Sequence, residues 1–224
     1  MAHRALVLSV SKPPGLTSFD VVRRVRSLLG YKRVGHTGTL DPSASGVLIL
    51  LCGAATKWAA DFADLEKEYQ ATIRFGVETT TDDLAGQIVR ESPVHDWEPE
   101  RIRLALNEFE GDIWQVPPVV SAIKIGGERS YRRAWRGETR DLPARKVSIY
   151  RIQLLGIEKP NIEIQVFCGK GTYIRSLARD LGRRLGWGAA LERLVRQAVG
   201  PYRLECALSL ERITQMRGEL ASQE

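Results

Sequence analysis

The sequence contains only three cysteines and three histidines in 224 residues. Cys52, Cys168 and Cys206 lie far apart in apolar surroundings, whereas a disulfide framework or a zinc site would show paired spacings with histidines nearby. We therefore expect three buried free thiols. For the same reason we expect no structural or catalytic metal.

Long hydrophobic runs are also missing. No stretch approaches the roughly 20 apolar residues of a membrane-spanning helix, and the apolar part of the N-terminus is too short for a signal peptide. The sequence therefore predicts a cytoplasmic protein with no membrane partner. It has no heptad repeat, which favours a monomer. Hydrophobic residues make up 43% of the chain, enough for one sizeable core.

Positive charge is present but unevenly distributed. The formal net charge is +6, yet residues 124–203 alone contain 18 basic and 7 acidic side chains, and residues 1–57 contain 8 and 2. The intervening residues 58–123 are acidic, with 5 basic and 14 acidic side chains. Two basic blocks around an acidic one indicate a polyanionic partner, because each neutralised phosphate adds salt-sensitive affinity. A solvated charged surface is the alternative interpretation.

The hydrophobic patterns predict an α+β protein. Apolar spacing indicates a helix over residues 18–29, with Ser18 as its cap and Gly30 as its stop, a second helix entered near Pro99, and a third helix capped by Thr172. Residues 209–216 suit a last helix, and residues 111–127 are predicted to be irregular. Strands are predicted over residues 6–11, 46–52, 68–75, 147–155 and 162–168, the last two as an antiparallel hairpin.

The segment from Gly35 to Pro42 presents a single carboxylate, Asp41, in a loop bracketed by glycines and followed by proline. Glycine permits backbone conformations that are closed to other residues, and proline pushes Asp41 toward an extended geometry, so the loop can aim this side chain. An ordinary turn is the alternative, since Asp before Pro is common in turns.

A second group of polar residues lies where a predicted strand leads into a helix. Lys170 and Arg175 add full charges to a helix N-terminus, which already favours anions. The nucleotide-binding loop pattern fails here, because no glycine lies five residues before Gly169. A surface role for Tyr173 and Arg175 is the alternative.

Taken together, these segments resemble the tRNA pseudouridine synthases of the TruB type. The resemblance is carried by residues 12–18, 35–42, 67–69, 117–124 and 170–175, and by Thr81, Asp83 and Gly86. The sequence departs from the family pattern at Thr80, Val195 and Gln197, which weakens the assignment of individual phosphate contacts.

The resemblance implies a fold, a reaction and a set of site residues. The fold is a mixed, largely antiparallel central sheet flanked by helices. The reaction converts the uridine at position 55 in the tRNA T loop to pseudouridine by flipping out the base, without metal or organic cofactor. Residues 1–205 would form the catalytic domain, and residues 206–224 a short helical tail without the accessory RNA-binding domain of many relatives. The implied catalytic residues are Asp41, Tyr69 and Arg175, and the implied substrate-binding residues are Lys12, His36, Tyr173 and Leu194.

Two other functional classes stay open at this stage. A nucleoside or glycoside hydrolase would need a second carboxylate to activate water, for which only Asp82 and Asp83 are candidates. A noncatalytic RNA-binding protein or RNA chaperone would need the basic surface but not Asp41. We expect the catalytic domain alone to bind the tRNA, with the basic block of residues 124–203 supplying more of the affinity than residues 1–57.

Overall fold

The structure is a computed structural model that describes residues 5–120, 124–125, 128–129 and 142–221. It divides into two compact units, and the chain passes between them twice. The first unit contains residues 1–69 and 195–224, and the second contains residues 70–194. Residues 121–123, 126–127 and 130–141, which belong to the predicted irregular segment and to the basic block, lie outside the described residues.

The strands in chain order are β1 (Leu6–Lys12), β2 (Val34–His36), β3 (Ser45–Cys52), β4 (Lys67–Phe75), β5 (Val77–Thr79), β6 (Ile88–Glu91), β7 (Gly111–Gln115), β8 (Lys124–Ile125), β9 (Glu128–Arg129), β10 (Arg145–Glu158), β11 (Asn161–Cys168), β12 (Ala189–Val199) and β13 (Tyr202–Arg203). The α-helices are α1 (Ser18–Leu29), α2 (Ala59–Asp64), α3 (Pro99–Asn107), α4 (Ile174–Leu185) and α5 (Leu210–Ala221). Short 3₁₀ helices cover Gly53–Trp58 and Leu204–Cys206. No helix in these described stretches is long and apolar enough to cross a membrane.

Strand β3 is the centre of the first unit. It pairs antiparallel with β1 and β2 and parallel with the end of β12, so the sheet is mixed. Its side chains are apolar on both faces because both faces are covered. Leu48 and Leu50 pack in a cluster with α1 and α5, whereas Val47, Ile49 and Leu51 pack in a second cluster.

Helix α1 begins one residue away from the predicted cap. Thr17, not Ser18, is the N-cap: its hydroxyl accepts a hydrogen bond from Asp20 N, and the Asp20 side chain accepts one from Thr17 N. This reciprocal arrangement satisfies two otherwise unpaired N–H groups. Gly30 ends the helix in a left-handed conformation, as predicted. Ser18 is buried and has a different role, described below.

In the second unit, β11, β10 and β7 are neighbours in the sheet, next to the end of β4; β10 pairs antiparallel with both β11 and β7, which confirms the predicted β10–β11 hairpin. The prediction of an irregular segment over residues 111–127 was wrong at its start, because β7 pairs with β10 from Gly111↔Ile149 to Gln115↔Arg145. Alternation alone did not reveal β7, since only Gln115 is buried on it.

Helix α4 also begins differently from the prediction. Tyr173 is its N-cap residue and does not cap the helix through its side chain, whereas the Thr172 hydroxyl donates to Gly169 O. The buried Gln115 amide replaces the missing cap: its Oε1 accepts from Tyr173 N at 2.8 Å and its Nε2 donates to Tyr173 O at 3.0 Å. The start of α4 is therefore fixed by a side chain from β7.

The overall class agrees with the sequence-based expectation. The protein is α+β, with a central, largely antiparallel sheet and flanking helices. The cysteines agree only in part: Cys52 and Cys168 are buried free thiols, but Cys206 is exposed.

Candidate active site

Asp41 lies in the loop between β2 and β3, and it is partly exposed. Its carbonyl accepts from Ala44 N at 3.1 Å, which closes a turn, and the next carbonyl, that of Pro42, accepts from Gly15 N at 2.7 Å. The loop is thus tied to the turn that follows β1. Gly35 and Gly38 do not adopt left-handed conformations, so the reason first given for these glycines was wrong.

Lys12 lies beneath this loop and is completely buried. Its ammonium donates to Leu16 O at 2.6 Å, to Pro13 O at 2.9 Å and to Pro42 O at 3.4 Å. Burial lowers the pKa of Lys12 to about 8, against the opposing attraction of the Asp41 carboxylate. The first unit therefore brings Lys12 and Asp41 together, as expected for one site.

The other predicted residues of the first unit lie on strands. His36 ends β2 opposite Leu50 and is half-buried, immediately before the Asp41 loop. Tyr69 is on β4 and is 8% exposed. Its burial also suits an ordinary core tyrosine on an alternating strand, and its place against a target base stays a prediction.

Arg175 is in the second unit, in the first turn of α4, and is 5% exposed. Its guanidinium donates to Thr81 O at 3.0 Å and to Val120 O at 2.9 Å, and its Nε lies 3.8 Å from the Asp83 carboxylate. A buried guanidinium held by two carbonyls has a fixed direction. Its pairing with Asp41 stays a prediction, as do the pocket roles of Tyr173 and Leu194, which are half-buried.

The loop that holds Arg175 is itself tightly bonded. The Asp83 carboxylate accepts from the Thr81 hydroxyl at 2.6 Å and from Ala85 N at 3.1 Å. Asp82, in a left-handed conformation, forms an ion pair with the buried Arg179 at 2.9 Å. Desolvation raises the pKa of Asp82 against the attraction of Arg179.

Sequence reasoning missed three buried polar residues that support these groups: Gln115, Arg179 and Arg196. Arg196 lies on β12 in the first unit, and its guanidinium donates to Val47 O and Gly38 O, on either side of Asp41. The one signal in the sequence was Gly46, where a side chain would overlap the Arg196 backbone.

Comparison with known proteins identifies the family. Residues 26–174 match the model of the TruB family pseudouridylate synthase, N-terminal domain. The chain is 46% identical over 215 residues to tRNA pseudouridine synthase B of Thermobifida fusca, covering 92% of this chain and 73% of that protein. It is 44% identical over 208 residues to the Prochlorococcus marinus protein of the same name, covering 91% of this chain and 65% of the relative.

Solved structures agree at the level of the fold. A crystal structure of an archaeal box H/ACA sRNP complex matches with a TM-score of 0.72 and 27% identity, over 97% of this chain and 55% of the other. An H/ACA RNP bound to a substrate RNA containing 2′-deoxyuridine matches with a TM-score of 0.73 and 28% identity, over 97% and 55%. The chain thus spans about half the length of these structures.

The chain belongs to the TruB family of pseudouridylate synthases. Its enzyme class is that of the tRNA pseudouridine synthases, isomerases that convert uridine to pseudouridine in tRNA.

Proposed function

We propose that this enzyme acts on the uridine at position 55 of the tRNA T loop, as a monomer and without metal or organic cofactor, with Asp41 as the essential carboxylate. The observation that carries this proposal is the Asp41 loop itself. One partly exposed carboxylate lies beside the buried Lys12, in a loop whose backbone is hydrogen-bonded from several sides.

The reaction needs one such carboxylate. The N1–C1′ bond of uridine breaks, the uracil turns, C5 bonds to C1′, and the C5 proton is exchanged for one on N1, so substrate and product are isomers. Asp41 acts at the sugar, where C1′ becomes electron-poor as the bond breaks. The base must leave the stacked loop first, at a cost of a few kcal/mol that contacts in the pocket offset. Tyr69, Tyr173 and Leu194 are proposed to line this pocket, and His36 to help displace the base.

Arg175 is proposed to face Asp41 and keep it ionised. Support comes from the bonds that fix Arg175 within its own unit. Thr81 O, Val120 O and the Asp83 carboxylate all hold the guanidinium, so its remaining direction of interaction is set before RNA binds.

The hydrolase alternative is disfavoured by the same contacts. Asp83 is engaged by the Thr81 hydroxyl, Ala85 N and Arg175, and Asp82 by Arg179. A carboxylate that must activate water needs an accessible oxygen. Asp83 is buried, and Asp82, with 16% of its side chain exposed, is paired with Arg179, so neither candidate is well arranged to activate water.

A basic surface in the first unit suits the RNA backbone. Lys32, Arg33 and Lys57 line a surface cavity of about 380 Å³ with Gly53, Ala54 and Thr56. All three cations are exposed, and among the described residues none has a carboxylate within 4 Å. We refer to Lys32, Arg33 and Lys57 as the basic surface. Its charge is available to phosphates.

By contrast, many basic side chains of residues 142–203 already have partners inside the protein. Carboxylates or backbone carbonyls hold Lys146, Arg175, Arg179, Arg184, Arg196 and Arg203. The net charge of residues 142–203 therefore overstates their contribution to tRNA affinity, and we propose a larger share for the basic surface than the sequence indicated.

The decisive experiment is incubation of the purified protein with an unmodified tRNA transcript, followed by mapping of pseudouridine and measurement of free uracil. We expect pseudouridine at position 55, none with Asp41→Asn, and an unchanged rate with the control Asp61→Asn, since Asp61 is exposed on α2. Release of uracil would identify a hydrolase. Binding without conversion would favour a noncatalytic RNA-binding protein.

The basic surface is tested by the salt dependence of tRNA binding. Replacing Lys32, Arg33 and Lys57 together with Ala should reduce the slope of log Kd against log salt concentration by about 2 to 3, the value for three lost phosphate contacts. A control removes three cations that pair with glutamates: Arg90, Arg103 and Arg184. Equal slopes for the two triple variants would contradict this role.

A further inference from the structure

Arg196 is a buried cation in the first unit, with 2% of its surface exposed. Its Nε donates to Val47 O at 2.7 Å, and its Nη2 donates to Gly38 O at 3.1 Å. Among the described residues, no carboxylate lies within ion-pair distance of this guanidinium. A buried charge is costly unless it is hydrogen-bonded, so these two carbonyls are its main compensation. Both carbonyls belong to the segment from Gly38 to Val47, which contains Asp41.

The two glycines that flank Asp41 leave room for Arg196. A Cβ atom on Gly38 would lie 3.4 Å from Nη1 of Arg196. Gly46 has a φ of +110° and pairs with Arg196 in the parallel register of β3 and β12, and a Cβ atom there would lie 2.2 Å from Arg196 O. The Arg196 backbone therefore requires glycine at position 46, whereas an alanine at position 38 would make ordinary contact with the guanidinium.

Ser18 binds the same loop through another peptide group. The side chain is 2% exposed, and its hydroxyl accepts from Leu40 N at 2.8 Å and donates to Leu40 O at 3.0 Å. Leu40 immediately precedes Asp41. Because Thr17 caps α1, the Ser18 hydroxyl is not needed for capping, and both of its hydrogen bonds serve the loop.

We propose that Ser18 and Arg196 are positioning residues that fix the backbone from Gly38 to Leu40, so that the Asp41 carboxylate has its reactive direction before RNA binds. This inference rests on the proposed function of Asp41. Rotation of the loop would break hydrogen bonds of buried groups, which resists reorientation. A lysine at position 196 would keep the charge but could not donate in the same forked geometry.

The test uses Arg196→Lys and Ser18→Ala, with the matched controls Arg193→Lys, on the exposed part of β12, and Ser27→Ala, on the exposed side of α1. Single-turnover pseudouridine formation is measured with saturating enzyme, together with tRNA affinity and the urea midpoint. Misplacement of a catalytic group by about 1 Å can cost 100-fold in rate. We expect losses of about 100-fold with tRNA Kd unchanged within about twofold, and no loss in the controls.

Two further measurements separate positioning from general stability. The double variant should lose little more rate than the worse single variant, because both side chains act on one loop. Arg196→Ala should regain rate when methylguanidinium is added, whereas Arg193→Ala should not respond. If the Arg196→Lys protein fails to fold, the rate of the Ser18→Ala protein alone tests the positioning role.

The inference is overturned if folded Ser18→Ala and Arg196→Lys proteins react within about threefold of the wild-type rate, or if their losses follow tRNA affinity or the urea midpoint. A wild-type protein that forms no pseudouridine would refute the proposed function and this inference with it. An active wild type with unaffected variants refutes the inference alone.

Discussion

Lys12 gives the protein a pH-dependent stability whose size can be worked out. The side chain is completely buried, and its pKa falls from 10.5 to about 8. Desolvation is the largest cause; the Asp41 carboxylate opposes it, and the Arg196 guanidinium adds to it. A lowered pKa means that the folded protein releases this proton while the unfolded chain still holds it. Between pH 8 and 10.5 the free energy of unfolding therefore rises with pH through Lys12.

The magnitude follows from the two pKa values. With 10.5 in the unfolded chain and about 8 in the folded protein, linkage gives a gain of about 2 kcal/mol between pH 7 and pH 9.5. Replacement by methionine removes this titration and keeps much of the volume. Its other effects, such as the loss of the donor to Leu16 O, are largely independent of pH and cancel when the two pH values are compared.

The assay is urea unfolding of the wild type and Lys12→Met at pH 7 and 9.5. The free energy of unfolding of the wild type, minus that of the variant, should increase by about 2 kcal/mol at the higher pH. Lys57→Met, at an exposed position, is the control and should show no such change. A difference that stays constant within about 0.5 kcal/mol would refute the reasoning and indicate that Lys12 keeps an ordinary pKa.

Three further predictions concern stability and accessibility. Asp82→Ala should lower the free energy of unfolding, measured by urea titration, by about 3 kcal/mol. The substitution removes one buried partner of Arg179 and places alanine in a left-handed conformation. An unchanged free energy of unfolding would contradict the role of the ion pair. Gly46→Ala should destabilise the protein by several kcal/mol or prevent folding, because its methyl group would overlap the Arg196 backbone; a protein with wild-type thermal stability would contradict that packing. A thiol reagent should modify only Cys206 in the native protein, and all three cysteines once the protein is unfolded in urea. Rapid modification of three thiols in the native protein would contradict the burial of Cys52 and Cys168.

Local patterns predicted the elements whose cause is local. The apolar stripe of α1, its Gly30 stop and the alternating β10–β11 hairpin were all read from neighbouring residues, and the structure confirms them. The caps were missed by one residue. At α1 the reciprocal Thr17 and Asp20 bonds decide the start, and at α4 the deciding group is the Gln115 amide, 58 residues away. The capping preferences of residues near a helix end cannot predict a cap that a distant strand supplies.

Strand β7 was missed for a related reason. Its exposed Trp114 and its single buried residue, Gln115, give no hydrophobic alternation, although its backbone pairs with β10 over five residues. Such a strand is determined by a pairing partner that is distant in sequence, whereas hydrophobic periodicity detects a strand only when one of its faces is apolar. The same limit hid β12, for which no strand was predicted; Val195 and Arg196 are both buried, so this part of the strand shows no alternation.

The candidate site divides in the same way between short-range and long-range determinants. Asp41, the proposed catalytic carboxylate, was singled out from the segment of residues 35–42, whereas its proposed positioning depends on Arg196, whose partner Val47 is 149 residues away in sequence. A partly exposed carboxylate has to accept a large RNA from the solvent side, so restraint must come from the buried side of the loop. Ser18 and Arg196 are both buried, and within the described part of the chain their side chains hydrogen-bond to main-chain atoms of Leu40, Gly38 and Val47. Substitution at either position should therefore alter the rate of reaction before it alters which RNA is bound.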